Sequence, residues 1–341
     1  MRKLIIALVL FLAVAFVILR FSEFQNILNV LHHSNYRFLI AAVVVEGIWF
    51  YNSATDYAVL YRLMGLKQKA SHLILVATAA NFINVIAPTA GIGGMAVFME
   101  DAKREDHPSG RVTVVGVLYI LYDYLAFFCV LTLGFIVLIR RNNLDVGELT
   151  AAAILLAIAV GLAFLLYLGY KSAERLGKTL ARMAHFINRI LHPFIHRNYI
   201  EEESAYHFAQ EAATGIDMLR GKQKEFYWPF LFALNNFALL ICVLAFTFLA
   251  LGTPFTVGTL VGGFAISYLF LIVSPTPSGV GVVEGVMTVA LASLRVELEA
   301  AALITLTYRF ITFWLPLAVG AVAFRLLGGK PKPVTPETPK P

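Results

Sequence analysis

The chain has 341 residues, of which 59% are hydrophobic and only 14% are charged, and its formal net charge is +6. So little charge excludes a soluble domain with a large core and indicates an integral membrane protein. Most of the basic residues stand in polar segments between apolar runs, where they report orientation, and no basic stripe or stacking motif supports nucleic-acid binding.

The first apolar run, residues 4–19, follows Arg2 and Lys3 and ends at Arg20. It resembles a signal sequence, but no Ala-x-Ala-like cleavage site follows, so we predict an uncleaved first span. At about 1.5 Å per residue the run measures roughly 24 Å, and an extension to Phe24 would lengthen it. Five further spans are predicted over residues 38–61, 112–139, 150–170, 228–251 and 300–327.

Two stretches break the apolar pattern where a membrane helix would be continuous. Proline lacks a backbone donor and clashes with the preceding turn, and glycine loosens the chain. The proline and glycine residues of the two breaks are Pro88, Gly91, Gly93 and Gly94, and then Pro275, Pro277, Gly279 and Gly281. Both breaks carry Pro-Thr and then Gly-x-Gly, with one residue inserted in the later copy. Chance similarity of two Pro/Gly-rich loops is the alternative to an internal repeat.

Backbone broken at membrane depth is tolerated only where it is buried in protein or lines a cavity, so we predict two re-entrant helical hairpins. Six full spans then remain, with both termini and residues 171–227 in the cytoplasm of a multi-pass cell-membrane protein. If every apolar piece crossed the membrane instead, residues 171–227 would lie outside, against the positive-inside tendency. The sequence therefore predicts an all-α, polytopic fold in an inverted-repeat arrangement, with Arg140 and Arg141 as exceptions outside.

Residues 171–227 form an extended polar region in which apolar residues recur every three or four positions in two runs. This spacing predicts two amphipathic cytoplasmic helices, the first ending near Pro193. His192 and His196 have metal-ligand spacing, but Pro193 interrupts that helix and no third ligand is evident, so we predict no metal site. Residues 1–327 would form one transmembrane domain, followed by a disordered Pro/Lys/Thr tail over 328–341.

Charged residues fall inside the apolar segments, at Glu46, Asp123, Glu284 and Arg309. Counting about 1.5 Å per residue places all but Glu284 near the middle of a bilayer core of roughly 30 Å. Charges there are costly and normally face a cavity or each other. In the functional interpretation Arg309, with Tyr308, binds an anionic head group, and the acids pair with Arg309 or exchange protons. The alternative is a buried ion pair, such as Asp123 with Arg309, that only fixes helix register.

Short helices are predicted to restart near Gly94 and Val282, and their N-terminal N–H groups favour phosphate. Together with Arg309, these N–H groups are predicted to bind a lipid phosphate. Asn81 and Asn84 are further candidate substrate-binding residues. Alternatively, glycine and proline only permit close helix packing. No catalytic triad, Walker-type loop or dinucleotide fingerprint can be singled out, so we predict no catalytic residue and no cofactor.

These motifs resemble the lysylphosphatidylglycerol synthase transmembrane region, a flippase-like membrane family, over about residues 4–327. The residues that carry the resemblance are Asn81 with 88–94, Asp123, 275–285, and Tyr308 and Arg309 with 314–316. The resemblance implies a lipid-translocating domain. In the best-known members that domain moves an aminoacylated phospholipid between leaflets and is followed by a soluble aminoacyltransferase domain. Here a short tail follows instead, so we expect no synthase activity.

The function expected is translocation of an anionic phospholipid or a lipid-linked precursor, with no enzymatic step and no ATP hydrolysis. Two alternatives stay open. One is a membrane transferase acting on a lipid phosphate, for which Glu284 is the only acid inside a break motif. The other is a non-catalytic partner of a cell-envelope synthase that docks through residues 171–227.

Overall fold

The computed structural model describes residues 34–86, 93–140, 146–195, 202–217, 223–274 and 276–328. The predicted first span, the tail beyond Gly328, and the break residues Pro88, Gly91 and Pro275 lie outside these ranges. Every regular element within the described ranges is helical, which confirms the all-α class.

The helices in chain order are α1 (Tyr36–Leu63), α2 (Ala70–Ile86), α3 (Gly93–Arg104), α4 (Ser109–Arg140), α5 (Val146–Lys171), α6 (Ala173–Ile195), α7 (Glu202–Asp217), α8 (Tyr227–Ala250), α9 (Val257–Val273), α10 (Val282–Ser293), α11 (Leu298–Arg309) and α12 (Leu315–Gly328). A π-helical turn, Phe310–Trp314, joins α11 to α12. Within the described ranges, α1, α4, α5, α8 and the continuous α11–α12 rod are long and apolar enough to cross a membrane. They match the five predicted spans after the first.

Local capping explains where several of these helices begin. The Asn35 side chain accepts the backbone N–H of Arg37 at the start of α1, 3.2 Å away. The Thr256 hydroxyl accepts the N–H of Thr259 at the start of α9, 3.1 Å away. Short polar side chains satisfy N–H groups that a helix leaves unpaired in its first turn, so these sequences set the helix starts.

Each break joins two antiparallel helices. In the first hairpin, α2–α3, His72 near one end pairs with Asp101 at 2.8 Å, and Asn84 near the other end accepts the N–H of Gly94. In the second hairpin, α9–α10, a Cβ on Gly263 would overlap the side chain of Leu291. The helix–break–helix units are therefore present as predicted, and their re-entry into a bilayer stays a prediction.

The chain from α1 to α4 and the chain from α8 to α12 pack in matching ways. Helix α1 packs on α8, while α2 packs on α12 and α9 packs on α4. Glycine permits each of the crossed contacts. A Cβ on Gly320 would lie 3.0 Å from the carbonyl oxygen of Thr78, and one on Gly134 would meet the methyl group of Ala265. The two halves are thus built on one plan and exchange their hairpins across the centre.

Helices α6 and α7 pack on each other and against α4 and α5, as expected for amphipathic helices. Ala212 and Ile216 of α7 are buried, and the Glu211 carboxylate accepts the N–H of Gly110 at 2.6 Å, which caps α4. Helix α6 continues to Ile195, slightly beyond the stop expected near Pro193. A proline in the last turn removes only one backbone bond, so the helix ends two residues later.

Candidate functional site

Two adjoining cavities lie among the described residues where the halves meet. We call the larger one, of about 250 Å³, the Asp123 chamber, and the smaller one, of about 140 Å³, the Glu46 chamber. Their common wall includes Trp49, Asn81, Val85, Leu240, Tyr268 and Ser278. Since these residues come from α1, α2, α8, α9 and the second break, both halves contribute to the wall.

The Asp123 chamber combines amides with aromatic rings. Its polar lining includes Asp123, Asn81, Asn84 and Asn236, and the rings of Tyr57 and Tyr119 stack at 4.0 Å between centroids. Within the described ranges, no hydrogen bond or ion pair of Asp123 is recorded. The half-buried carboxylate of Asp123 therefore faces a polar space large enough for water or a small head group.

The Glu46 chamber holds unsatisfied polar groups. Glu46 is 1% exposed, and neither its Oε2 nor the indole N–H of Trp49 has a hydrogen-bond partner among the residues described. Ser267 and Thr312 also line the chamber. The Ser267 hydroxyl donates to the Gly263 carbonyl at 2.6 Å, and the Thr312 hydroxyl donates to the Tyr308 carbonyl at 3.0 Å. These hydroxyl groups therefore turn lone pairs, not protons, toward other partners.

Arg309 lies at the edge of the Glu46 chamber and is held on several sides. Its Nε donates to Glu284 Oε1 at 3.0 Å, and its Nη2 donates to the Ser278 carbonyl at 2.9 Å. Its guanidinium lies 4.7 Å from the ring centroid of Phe313. The other carboxylate oxygen of Glu284 accepts the N–H of Gly281 at 2.7 Å. We call Arg309, Glu284, Ser278 and Gly281 the Arg309 latch, because they fasten the second break to the last membrane helix.

The second break needs an unusual backbone. Ser278, Gly279 and Gly281 have φ values of 45°, 66° and 84°, in the left-handed region that glycine adopts without steric cost. Pro277 opens the short 3₁₀ turn, Pro277–Gly279, that contains this conformation. The Ser278 hydroxyl donates to the Val85 carbonyl at 3.3 Å, at the end of α2. The second break therefore touches the end of the first hairpin, and the two hairpins meet beside Arg309.

The structure brings the predicted residues to one region, and of the three acids expected to pair with Arg309 it pairs Glu284. Glu284 is the acidic partner of Arg309, whereas no Asp123–Arg309 or Glu46–Arg309 ion pair is recorded among the described residues. Glu46, Tyr308 and Arg309 line one chamber, Asn84 and Asp123 line the other, and Asn81 lines both.

The short helices restart at Gly93 and Val282, close to the predicted positions. Two of the N–H groups at these helix starts are already engaged by protein side chains. The N–H of Gly94 is bonded to Asn84, and that of Gly281 is bonded to Glu284. A lipid phosphate at either helix start would have to displace these bonds or use other donors.

Sequence reasoning missed a polar face on α1. Asp56 and Asn52 are both buried, and Trp49 lies one turn from Glu46 on the same helix. Asn52 donates to Asn236 at 2.7 Å and accepts from Asn235 at 2.9 Å, which joins α1 to α8. The signal was available, because Glu46, Trp49, Asn52 and Asp56 recur every three or four residues in an otherwise apolar helix.

A family model described as "Lysylphosphatidylglycerol synthase TM region" matches residues 4–320. A UPF0104 membrane protein of Methanothermobacter thermautotrophicus is 24% identical over 296 residues, which cover 85% of this chain and 86% of that protein. A UPF0104 membrane protein of Methanocaldococcus jannaschii is 22% identical over 324 residues, which cover 91% of this chain and 90% of that protein. The similarity therefore spans nearly the whole length of these relatives.

Proposed function

Because this chain belongs to the family of the lysylphosphatidylglycerol synthase TM region, a family of multi-pass membrane proteins, we propose that it moves a lipid between the two leaflets. The cargo is an anionic phospholipid or a lipid-linked precursor, and its head group is the part that the protein must carry. Acyl chains are as apolar as the membrane, so they can remain in lipid while the head group crosses.

The observation that carries this proposal is a pair of chambers, each with charged and amide side chains in its wall, at the meeting of two broken hairpins. An apolar membrane protein gains nothing in stability from an unpaired carboxylate such as Glu46, so cavities with such groups in their walls support a pathway function. The chambers adjoin across Trp49, Asn81 and Tyr268. A head group would pass from one chamber to the other when these side chains move apart.

Arg309 is the basic residue that the described lining offers to an anionic head group. Its present partner, Glu284, is a carboxylate, and arginine binds phosphate and carboxylate through the same forked donors. We infer that a lipid phosphate replaces the Glu284 carboxylate on Arg309 during passage. Glu284 then remains near Gly281 and recloses the Arg309 latch after release, which makes binding reversible.

The same geometry argues for transport without a chemical step. A membrane transferase would need a free acid or base beside the phosphate bound to Arg309, and Glu284, the acid that contacts Arg309, is instead bonded to both Arg309 and Gly281. We therefore propose no enzymatic activity. In the proposed orientation both termini and the α6–α7 pair face the cytoplasm, and the two hairpins enter from opposite leaflets.

Purified protein in liposomes with a fluorescent anionic phospholipid tests the proposal. A membrane-impermeant quencher reports how much labelled lipid reaches the outer leaflet, and empty liposomes give the background rate. We expect wild-type protein to accelerate the exchange between leaflets. The double variant Arg309→Gln/Glu284→Gln should be about tenfold slower than wild type or slower still, as expected when a charge-assisted bond is lost. Thr132→Val, an exposed change on α4, is the matched control.

Repeating the assay with a zwitterionic phospholipid separates head-group selection from general membrane disturbance. Equal rates for both lipids would remove the anionic preference. No acceleration over empty liposomes with either phospholipid or with a lipid-linked precursor would remove the translocase proposal itself.

A further inference from the structure

We propose that the Glu46 chamber binds a small monovalent cation of Na⁺ size, with the Glu46 carboxylate as its charged ligand. The inference deepens the proposed function, because a bound cation in the wall between the chambers would be the coupling ion of lipid movement. The binding site itself can be tested without any lipid transport.

The carboxylate of Glu46 has no compensating charge among the described residues. Glu46 is 1% exposed, and the cation that shares its chamber, Arg309, is paired with Glu284 at 3.0 Å. The sequence of α8, which packs against α1, contains no acidic or basic residue. A carboxylate withdrawn from water is strongly disfavoured unless a counter-charge or hydrogen bonds compensate it. Glu46 therefore requires a positive charge from outside the described protein residues.

A proton on Oε2 of this carboxyl group would find no acceptor among the described protein groups. Protonation removes the negative charge but creates an O–H donor, and Oε2 has no acceptor within hydrogen-bond distance among the described residues. The protonated group would then depend on a water in the chamber as its acceptor. A cation in the adjacent chamber compensates the charge and contacts the oxygen at the same time.

The chemistry of the lining also favours a cation. The hydroxyl protons of Ser267 and Thr312 are used in bonds to carbonyl groups of their own helices, so toward a ligand these oxygens can only accept. Carboxylate, hydroxyl and amide oxygens are the ligands that hard cations take, and Asn81 offers an amide oxygen in the same lining. A small anion at this point would meet the Glu46 carboxylate, while Arg309 is engaged by Glu284.

The chamber also has the right size. Its volume of about 140 Å³ holds an ion with a few waters, at roughly 30 Å³ for each water. The unpartnered indole N–H of Trp49 can donate to one of those waters. The Glu46 chamber therefore provides a charged ligand, neutral ligands and a donor for the ion's hydration shell.

The location suggests how occupancy would influence lipid movement. Trp49 and Asn81 line both chambers, so a cation beside Glu46 lies against the wall that a head group must cross. If the cation stabilises one arrangement of that wall, lipid and cation must alter each other's affinity by the same factor.

Equilibrium binding of ²²Na⁺ to the purified full-length chain in nanodiscs tests the site, with choline replacing Na⁺ at constant ionic strength. We expect saturable binding of one ion per chain. Glu46→Gln should weaken it about 100-fold, because changes to groups around a metal ion already cost roughly 10–100-fold. Thr312→Val, which keeps the side-chain shape, should weaken it about tenfold. Glu299→Gln on the exposed start of α11 is the matched control and should bind as wild type.

The possible results distinguish failure of the cation site from failure of the translocase proposal. Absence of saturable ²²Na⁺ binding, or equal binding by wild type and Glu46→Gln, would overturn the cation site. Thermal stability that responds to pH but not to Na⁺ would indicate a proton site and overturn it as well. Lipid movement that proceeds equally with Na⁺ and choline would leave the translocase proposal standing without a coupling ion. Glu46-dependent Na⁺ binding without lipid movement would remove the translocase and keep the site.

Discussion

Asp123 and Arg309 occupy matching places in the two halves of the molecule, yet their surroundings differ. Asp123 precedes Gly134 by eleven residues, Arg309 precedes Gly320 by the same number, and each glycine makes the close contact of its half with the opposite hairpin. Arg309 is fastened to the second break through the Arg309 latch. Asp123 lines the larger chamber instead.

The same architectural position therefore stabilises the fold in one half and lines an accessible cavity in the other. Removing Arg309 would leave Glu284 and the left-handed backbone of Ser278 without their main restraint. Removing the charge of Asp123 would alter only a side chain that lines a cavity. A locked half and an open half should therefore respond differently to substitution, and the Arg309 latch should respond most.

Breaking the Arg309 latch should cause the largest loss of unfolding free energy. Arg309→Gln leaves Glu284 partly buried without its counter-charge, and loss of one partner of such a pair typically costs about 3–5 kcal/mol of unfolding free energy. Asp123→Asn, at the matching place, should cost less than about 1 kcal/mol. The measurement is reversible unfolding of the purified variants in detergent, monitored by circular dichroism.

A double variant distinguishes the ion pair from general packing. Arg309→Gln with Glu284→Gln removes both charges and should regain part of the loss seen with Arg309→Gln alone. If Asp123→Asn proved as damaging as Arg309→Gln, the assignment of a locked half and an open half would be wrong.

Substitutions at Gly134 and Gly320, where each half contacts the opposite hairpin, should destabilise the protein to a similar extent. Gly134→Val and Gly320→Val each place methyl groups where a neighbouring helix already lies, and overpacking of this kind costs about 1–3 kcal/mol. We expect the two losses to agree within about 0.5 kcal/mol, since both contacts follow one plan. Gly161→Val, where a Cβ would meet nothing within 4 Å, is the control.

Unequal losses at Gly134 and Gly320 would show that the likeness of the halves does not extend to their energetics. The same unfolding experiment supplies this comparison, with circular dichroism of the folded variants to confirm that helix content is unchanged.

Much of this architecture was accessible from the sequence. Long apolar runs predicted the spans, because a helix must be apolar on most faces to lie in lipid, and proline and glycine located the break at 274–281. Glu284 was one of three acids that the sequence offered as partners of Arg309, and the choice among them was not predictable in the same way. It depends on which hairpin meets the last span, and that is a tertiary contact between residues 25 positions apart. Periodicity along α1 could have indicated Asn52 and Asp56.

The contact between α1 and α8, which we call the seam between the halves, should contribute less to stability than the Arg309 latch. Asn52 bonds to Asn235 and Asn236 and to the Phe232 carbonyl, which ties α1 to α8. Asn52→Leu removes these bonds while keeping similar volume, and hydrogen bonds between membrane helices contribute about 0.6–1.7 kcal/mol. We expect a loss of about 1–2 kcal/mol in the unfolding experiment. A loss as large as that of Arg309→Gln would mean that the seam, and not the latch, dominates stability.

The smallest effect concerns the backbone that the Arg309 latch holds. Ser278→Ala and Ser278→Gly both remove the hydroxyl bond to Val85, so their difference isolates the left-handed conformation at φ 45°. A side chain costs about 1–2 kcal/mol there, while glycine loses about 0.5–1 kcal/mol through its freer unfolded chain. We therefore expect Ser278→Gly to be about 0.5 kcal/mol more stable than Ser278→Ala by unfolding. If alanine were the more stable, the second break would relax toward ordinary backbone, and Arg309 would not be holding a strained turn.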